Sequence, residues 1–403
     1  MRVLHVQKVS GIGGSERHLL ILLPALAARG IDVRMCVLAT GDADRFLAGL
    51  DAVGIDTTVI PAGRDLDPRL VGRLVTEVRR YRPGLVHTHL VHADVHGQPA
   101  ARLARVPAVS SVHGLPGFYR RQPYRGAGAV AGRLARHTIA ISHHVAQGVV
   151  ELGLAPEKRV RMVHYGMETD GWELSRDDRA RARADVGLLP DDVAIGVASR
   201  LVAHKGHATL IEAFRRAVGR TEAGAGALRL LVAGSGPLDA DLRRQAAGTG
   251  LPEGAIRLLG FVPDIGRFMN ACDVMVFPTD PAFGEGFGLA ALEAMACARA
   301  LVATDVGPLP ELVVDGVTGV VVPPTDPDAL ADALSGLAAD PARRAALGRS
   351  AADRARREFG VARMVDGTLA VYAEAIGAGT FLEKRSGPAG EVTGPADQGP
   401  GRP

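Results

Sequence analysis

Two doubly wound Rossmann-like α/β domains facing a cleft are what this chain of 403 residues predicts, and three observations carry that expectation. The length exceeds what one hydrophobic core usually supports, so two domains are expected. Short apolar runs alternate with amphipathic segments through the first half, the pattern of a parallel sheet with crossover helices. After a polar, charged stretch at 172–190, read as a linker plus a short helix, the same alternation starts again. Sheets of this kind bind ligands at the carboxyl ends of their strands, which places the site in the cleft.

The opening MRVLHVQKVSG has too short an apolar run for a leader peptide and reads as a first strand at 3–6. Further strands are expected at 33–38, 57–60, 85–88, 108–112 and 138–141, with helices at 16–28, 68–81 and 93–104. The apolar stretch 19–28 contains Pro24 and falls well short of the roughly 20 residues that span a bilayer. The second series places strands at 194–198, 229–233, 256–259, 274–277, 300–303 and 319–322. Helical periodicity continues through 327–337, 341–359 and 361–376, and the Gly- and Pro-rich remainder, 378–403, is expected to be disordered.

Composition removes several function classes. Aromatic residues make up 4%, too few for stacking platforms, so no nucleic-acid partner is expected. Cys36, Cys272 and Cys297 show neither a paired framework nor a metal spacing, which suits a reducing cytoplasm. The net charge of +3 is unevenly placed: 22 Lys/Arg face 13 Asp/Glu up to Glu168, about +9 against about −6 for the remainder. Between Asp94 and Glu151 there is no acid at all, while Arg102, Arg105, Arg120, Arg121, Arg125, Arg133 and Arg136 fall within that interval. Such density suits an anionic acceptor or an anionic membrane surface, and it is also what an ordinary solvated basic face looks like.

The chemistry concentrates in FGEGFGLAALEAMAC at 283–297. Two carboxylates, Glu285 and Glu293, stand eight positions apart in an apolar segment, where acids are costly unless they meet a polar ligand or water. Between them a glycine turn opens a helix, whose free amides and dipole favour phosphate. Upstream, GVASRLVAHKGH sets Arg200 just past a strand and Lys205 before the Gly206 that starts a helix, a placement suited to a pyrophosphate. His113 follows the apolar strand AVSSV at its carboxyl end, where an imidazole can bind a hydroxyl, although a lone histidine is more often structural. The first turn, SGIGGSERH, lacks a glycine at position 16, which disfavours a dinucleotide cofactor and leaves a flexible turn able to approach a ligand. VAGSGP repeats the device at Gly234 and Gly236, and LGFVPD offers the backbone of Phe261 and Val262 to a base edge. The pairs Asp42/Asp44, Asp65/Asp67, Asp239/Asp241 and Asp326/Asp328 read as caps and turns, so no metal is expected.

Taken in order, the glycine turn with SERH, SVHG, VASRLVAHKG, VAGSGP, EGFGLAALEAMA and DVGPLPELVVDGVTGVVVPP resemble the family 4 glycosyltransferases of the GT-B fold over residues 1 to 375. The resemblance implies an N-terminal acceptor-binding domain, 1–172, joined by a C-terminal helix at about 361–377, and a nucleotide-sugar domain at 190–360. By that resemblance Arg200 and Lys205 hold the donor diphosphate, Glu285 and His113 meet the donor sugar, and Phe287, Gly288 and Leu289 present amides. Glu293 takes the ribose, Gly13 and Gly14 approach phosphate or acceptor, and Gly234 and Val262 complete the donor set. It implies transfer of a hexose or N-acetylhexosamine from a UDP- or GDP-sugar, with retention, without cofactor or metal, to a phospholipid, lipid-linked glycan or small natural-product core. The expected location is cytoplasmic, with peripheral contact at the inner face of the membrane. A nucleotide-sugar hydrolase or epimerase of the same fold, or a non-catalytic sugar-nucleotide binder, is the alternative. The chain departs from the family in one turn: His164-Tyr165-Gly166 stands where many members carry Asn-Gly, and no role is assigned there.

Overall fold

The computed structural model describes residues 1–63, 66–220, 227–281 and 286–377. Glu285, Asp65 and the expected disordered tail at 378–403 lie outside them.

Two parallel sheets form as expected. The first contains β1 (Arg2–Val9), β2 (Asp32–Ala39), β3 (Asp56–Pro61), β4 (Leu85–His89), β5 (Ala108–Val112), β6 (His137–Ala140) and β7 (Val160–Met162), in the order β3-β2-β1-β4-β5-β6-β7. The second contains β8 (Val193–Ala198), β9 (Leu228–Ala233), β10 (Ile256–Gly260), β11 (Val274–Phe277), β12 (Ala300–Thr304) and β13 (Gly319–Val322), in the order β10-β9-β8-β11-β12-β13. In each sheet the order reverses beside the first strand, which opens a crevice at the strand carboxyl ends. The structural difference from the sequence expectation is β7. Its sequence, VRM, has no apolar run because it is a short edge strand with a charged centre.

The segment 172–190 contains the short helix expected there. Ser175 caps a helix, Arg176–Asp185, by accepting from Asp178 N at 3.1 Å. From that helix Arg179 and Arg183 reach the two oxygens of Asp273, at 2.7 and 3.0 Å. Asp273 also accepts from Ala194 N at 2.8 Å, at the start of β8. Burial would raise the Asp273 carboxyl, but the amide and both guanidiniums outweigh it and hold it below its ordinary range. The charged stretch is thus pinned to the second sheet.

Alternation within the first sheet decides where its polar groups go. Even positions such as Leu4, Val6 and Val86 join a core with Leu70, Leu74 and Val78 of the helix Pro68–Tyr81. Odd positions such as Val3, Val33, Leu85 and Val109 face Leu19, Leu22 and Leu26 of the helix Gly14–Ala28, and Met364, Val365 and Leu369 of the helix Val361–Ile376. The last helix of the described chain therefore packs on the first sheet, and each fully buried Leu there contributes about 1.5–3 kcal/mol. Toward the strand carboxyl ends the same odd positions become polar: His5, Gln7, His87, His89 and Ser111, all buried. No described helix is long and apolar enough to cross a membrane.

One buried acid makes the stability of this domain sensitive to pH. Asp94 accepts from Thr88 Oγ1 and, at 2.9 Å, from Ser110 Oγ. Burial pushes its carboxyl up to about 7 against those two hydrogen bonds. The folded state therefore holds a proton that the unfolded chain has released, and this contribution to stability falls as pH rises from about 4 to about 7. Melting temperatures of wild type and Asp94→Asn across pH 5–8 (about the span of that titration) check it. A falling curve is expected for the wild type and a flatter one for the variant.

Candidate active site

The site lies between the carboxyl edges of the two sheets, and the first turn forms one lip. Glu16, the third residue of its helix, accepts from Gly13 N at 2.8 Å, from Ser15 Oγ at 3.0 Å and from Gln7 Nε2. That buried carboxylate ties the glycine turn to β1, so the loop is held rather than loose. Gly14 comes so close to the facing domain that a Cβ there would lie 3.8 Å from Leu289 Cδ1. One turn further on, Arg17 reaches Glu293 Oε1 at 3.8 Å.

The facing lip is the start of the helix Leu289–Ala296. Gly288 enters it at φ 90°, in the left-handed region that favours glycine. Ala291 and Leu292 donate to Gly288 O at 2.9 and 3.2 Å, so it is the amides of Leu289 and Ala290, ahead of those first bonds, that suit an anion. Phe287 is buried against Tyr165, ring centroids 5.3 Å apart, and Leu289 is half-buried beside the first turn. Burial raises the carboxyl of Glu293 and Arg17 offsets only part of that shift. A carboxylate so placed is under-solvated and suited to accepting hydroxyl hydrogen bonds from a ligand.

Arg200 and Lys205 come from the loop after β8 and the short turn Ala203–Lys205. Arg200 is exposed and Lys205 half-buried. The loop is locked by Gly206, at φ 69°, where a Cβ would lie 1.7 Å from Pro278 O. Gly234 serves the same loop from below: its N–H donates to Gly260 O at 2.7 Å, and a Cβ would meet Ser199 O at 1.9 Å. Gly234 thus lets two backbones pass closely. Val262 is half-buried against the core of this side, and Phe261 beside it is 72% exposed.

His113 sits in the cleft floor, half-buried, with both ring nitrogens engaged within the protein. Nδ1 lies 2.5 Å from Tyr165 Oη and Nε2 lies 2.9 Å from His89 Nδ1. Burial holds the imidazole down to about 3, so it is neutral at physiological pH. The backbone of His113 faces the other domain: a Cβ on Gly286 would come within 2.5 Å of His113 O. Tyr165, in the turn that departs from the family, is thereby the partner of His113, and its ring also stacks on His18 at 4.1 Å.

The two halves meet at a further contact that the sequence did not disclose. Glu311 accepts from the amides of His143 and His144 at 2.8 and 2.9 Å, and lies 3.2 Å from His164 Nε2. A carboxylate from the second half thus occupies the N-terminus of the helix His143–Glu151 in the first. Burial would raise its pKa, but His164 and the two amides outweigh burial and lower it. Ser142 Oγ adds a bond to Gly286 O at 3.1 Å. Among the described residues two sets lie close enough to share an ion, His5/His87/His89 and His143/His164/Glu311. In the first set ring nitrogens already bond to one another or to neighbouring hydroxyls, and in the second His164 bonds to Glu311.

Two family profiles match this chain, Glycosyltransferase Family 4 over residues 12–170 and Glycosyl transferases group 1 over residues 192–340. The D-inositol 3-phosphate glycosyltransferase of Mycolicibacterium vanbaalenii is 32% identical over 408 residues, covering 90% of this chain and 86% of that protein. The D-inositol 3-phosphate glycosyltransferase 1 of Catenulispora acidiphila is 33% identical over 354 residues, covering 81% and 82%. Among solved structures, Anabaena Alr3699/HepE in complex with UDP superposes with a TM-score of 0.81 at 24% identity, over 93% of this chain and 100% of that one. The same protein in complex with UDP-glucose gives 0.78 at 25% identity, over 93% and 99%.

Proposed function

The chain belongs to the family 4 glycosyltransferases of GT-B fold, and we propose that it moves a hexose or N-acetylhexosamine from a UDP-sugar to a phosphorylated or polyhydroxylated acceptor, with retention and without a metal. The observation that carries this reading is the pairing across the cleft. Glu293 faces Arg17, while the loop of Arg200 and Lys205 and the amides of Leu289–Ala296 supply positive potential on the same side. In the proposed mechanism Arg200 and Lys205 neutralise the charge that grows on the departing diphosphate, which replaces a metal in that role. Glu285 binds sugar hydroxyls, Glu293 the ribose, and the His113 carbonyl walls the reacting carbon.

The choice of uridine follows the Anabaena protein, whose structures contain UDP and UDP-glucose, and an acceptor bearing phosphate follows the names of the inositol phosphate relatives. Seven exposed arginines, from Arg102 to Arg136, give the first half the charge that such an acceptor needs. Leu103 and Val130, in the same interval, are also exposed, at 63% and 60%, and the interval suits peripheral contact with an anionic bilayer. Co-sedimentation with phosphatidylglycerol vesicles at low salt is the expected result there, and failure to sediment would remove that part.

The transferase reading is tested by release of UDP from UDP-glucose, UDP-galactose and UDP-N-acetylglucosamine, each with and without D-inositol 3-phosphate. Release that depends on the acceptor, and that a Glu285→Ala variant lacks, is expected. Release at the same rate without any acceptor would make the protein a hydrolase instead.

A further inference from the structure

The odd positions of the first sheet form more than a polar patch. Ser111 Oγ lies 2.7 Å from His87 Nε2, and His87 Nδ1 lies 2.7 Å from Tyr372 Oη on the C-terminal helix. Tyr372 Oη is 3.4 Å from His5 Nε2, and His5 Nδ1 is 2.9 Å from His89 Nε2. His89 Nδ1 then meets His113 Nε2 at 2.9 Å, and His113 Nδ1 meets Tyr165 Oη at 2.5 Å. The result is an unbroken line of hydrogen bonds from the sheet interior, through the last helix, to the cleft.

Every imidazole in this line uses both nitrogens, and a neutral ring has one donor and one acceptor. Two arrangements run one way along the whole line, and a third, in which Tyr372 Oη accepts from both His87 and His5, matches the second from His5 onward. With every proton on Nδ1, each ring donates toward the cleft and His113 donates to Tyr165, whose hydroxyl hydrogen is then free to donate onward. With every proton on Nε2, Tyr165 donates to His113 and can only accept. One mismatched ring from His5 onward would leave two donors or two acceptors facing each other in a buried site, so the tautomers are coupled.

We propose that Tyr372, His5 and His89 are positioning residues for the transfer reaction, acting through His113 to set whether the Tyr165 hydroxyl donates or accepts at the cleft. The reading fits three further facts. His5, His87 and His89 are fully buried, with at most 1% exposure, so water does not satisfy them in place of one another. Burial holds all four imidazoles below their ordinary range, His5 and His113 down to about 3, which keeps the line neutral. Tyr165 ends the line between His18 and Phe287, the latter on the lip that carries the donor-site helix.

The test removes one oxygen far from the cleft. Tyr372→Phe keeps the ring in its packing and deletes the hydroxyl that joins His87 to His5. Nitrogen-15 spectra of histidine-labelled protein report each tautomer directly. A single tautomer is expected at His5, His89 and His113 in the wild type, with altered tautomer signals at all three in the variant. The kinetic arm rests on the transferase reading, whereas the spectroscopic arm does not, so failure of either is distinguishable. In kinetics kcat is expected to fall by about 5- to 20-fold with the donor KM within about twofold. Ser111→Ala, at the far end of the line, is expected to shift the same signals if Tyr372→Phe does not fold. Unchanged His113 signals in a folded variant would overturn the proposal. So would stoichiometric zinc or iron in the purified protein whose removal by chelator changes the His5, His87 and His89 signals.

Discussion

Replacing Lys205 with alanine is expected to lower kcat by about 100- to 1,000-fold at saturating donor and acceptor, with a smaller change in donor KM. The expectation follows from where the ammonium is held. Lys205 ends the turn Ala203–Lys205, and Gly206 behind it is packed so tightly on Pro278 O that the loop has one backbone course. A cation fixed at that point acts most when negative charge builds on the leaving diphosphate, so its loss falls on the transition state more than on the bound donor. Arg200, exposed on the same loop, is expected to share the task, and Lys205→Arg should recover only part of the rate because a guanidinium is larger and planar. Steady-state kinetics of the two variants check this, and equal kcat in wild type and Lys205→Ala would remove Lys205 from the mechanism.

Glu293→Ala is expected to divide the other way: donor KM and UDP affinity worsen by about 10- to 100-fold, while kcat at saturation changes little. A second consequence comes from its burial. The Glu293 carboxyl is raised by desolvation and only partly relieved by Arg17, so the ligand-free protein bears a cost for keeping that charge in place. Above the ordinary glutamate range, removing the group should leave the melting temperature of the free protein unchanged or higher. UDP should then stabilise the variant less than the wild type, because the stabilisation follows the affinity. A variant that both melts lower and binds UDP as before would assign Glu293 to structure.

Much of this architecture is legible in the sequence because parallel strands buried on both faces read as apolar runs. The strands β5, β11 and β13 have the bounds expected from those runs, and the helices Pro68–Tyr81 and Val361–Ile376 follow from their periodicity. The edge strand β7 does not show because a strand paired on one side need not be apolar. The short helix within 172–190 is legible but its anchoring is not, because its arginines look like surface charge, whereas Arg183 is buried and bonded to Asp273, 90 residues on.

The site divides along the same line. Arg200, Lys205, Gly206 and the turn before Leu289 are local features, and the strand–loop–helix setting alone suggests phosphate chemistry. His5, His87 and His89 are different, because their meaning depends on strand register. His5 pairs with His87 across β1 and β4, and Tyr372 joins them from 285 residues beyond His87. The available signal was the alternation in VLHVQKV, LVHTH and AVSSVH, where one face of each strand turns polar at its carboxyl end. Tyr165 and Glu311 had no local signal at all: Tyr165 meets His113 only when the first sheet is assembled, and Glu311 acquires its partners only when the two halves meet.

Lys205 and Glu293 are expected to bind a nucleoside diphosphate in the cleft between the two sheets. Calorimetric titration of the wild type with UDP tests it most directly, with Lys205→Ala and Glu293→Ala titrated alongside and circular dichroism verifying that all three are folded. One site per chain is expected, with weaker binding in both variants and the larger loss in Glu293→Ala. Folded wild type that binds neither UDP nor GDP at millimolar concentration, or variants that bind UDP as tightly as the parent, would contradict it.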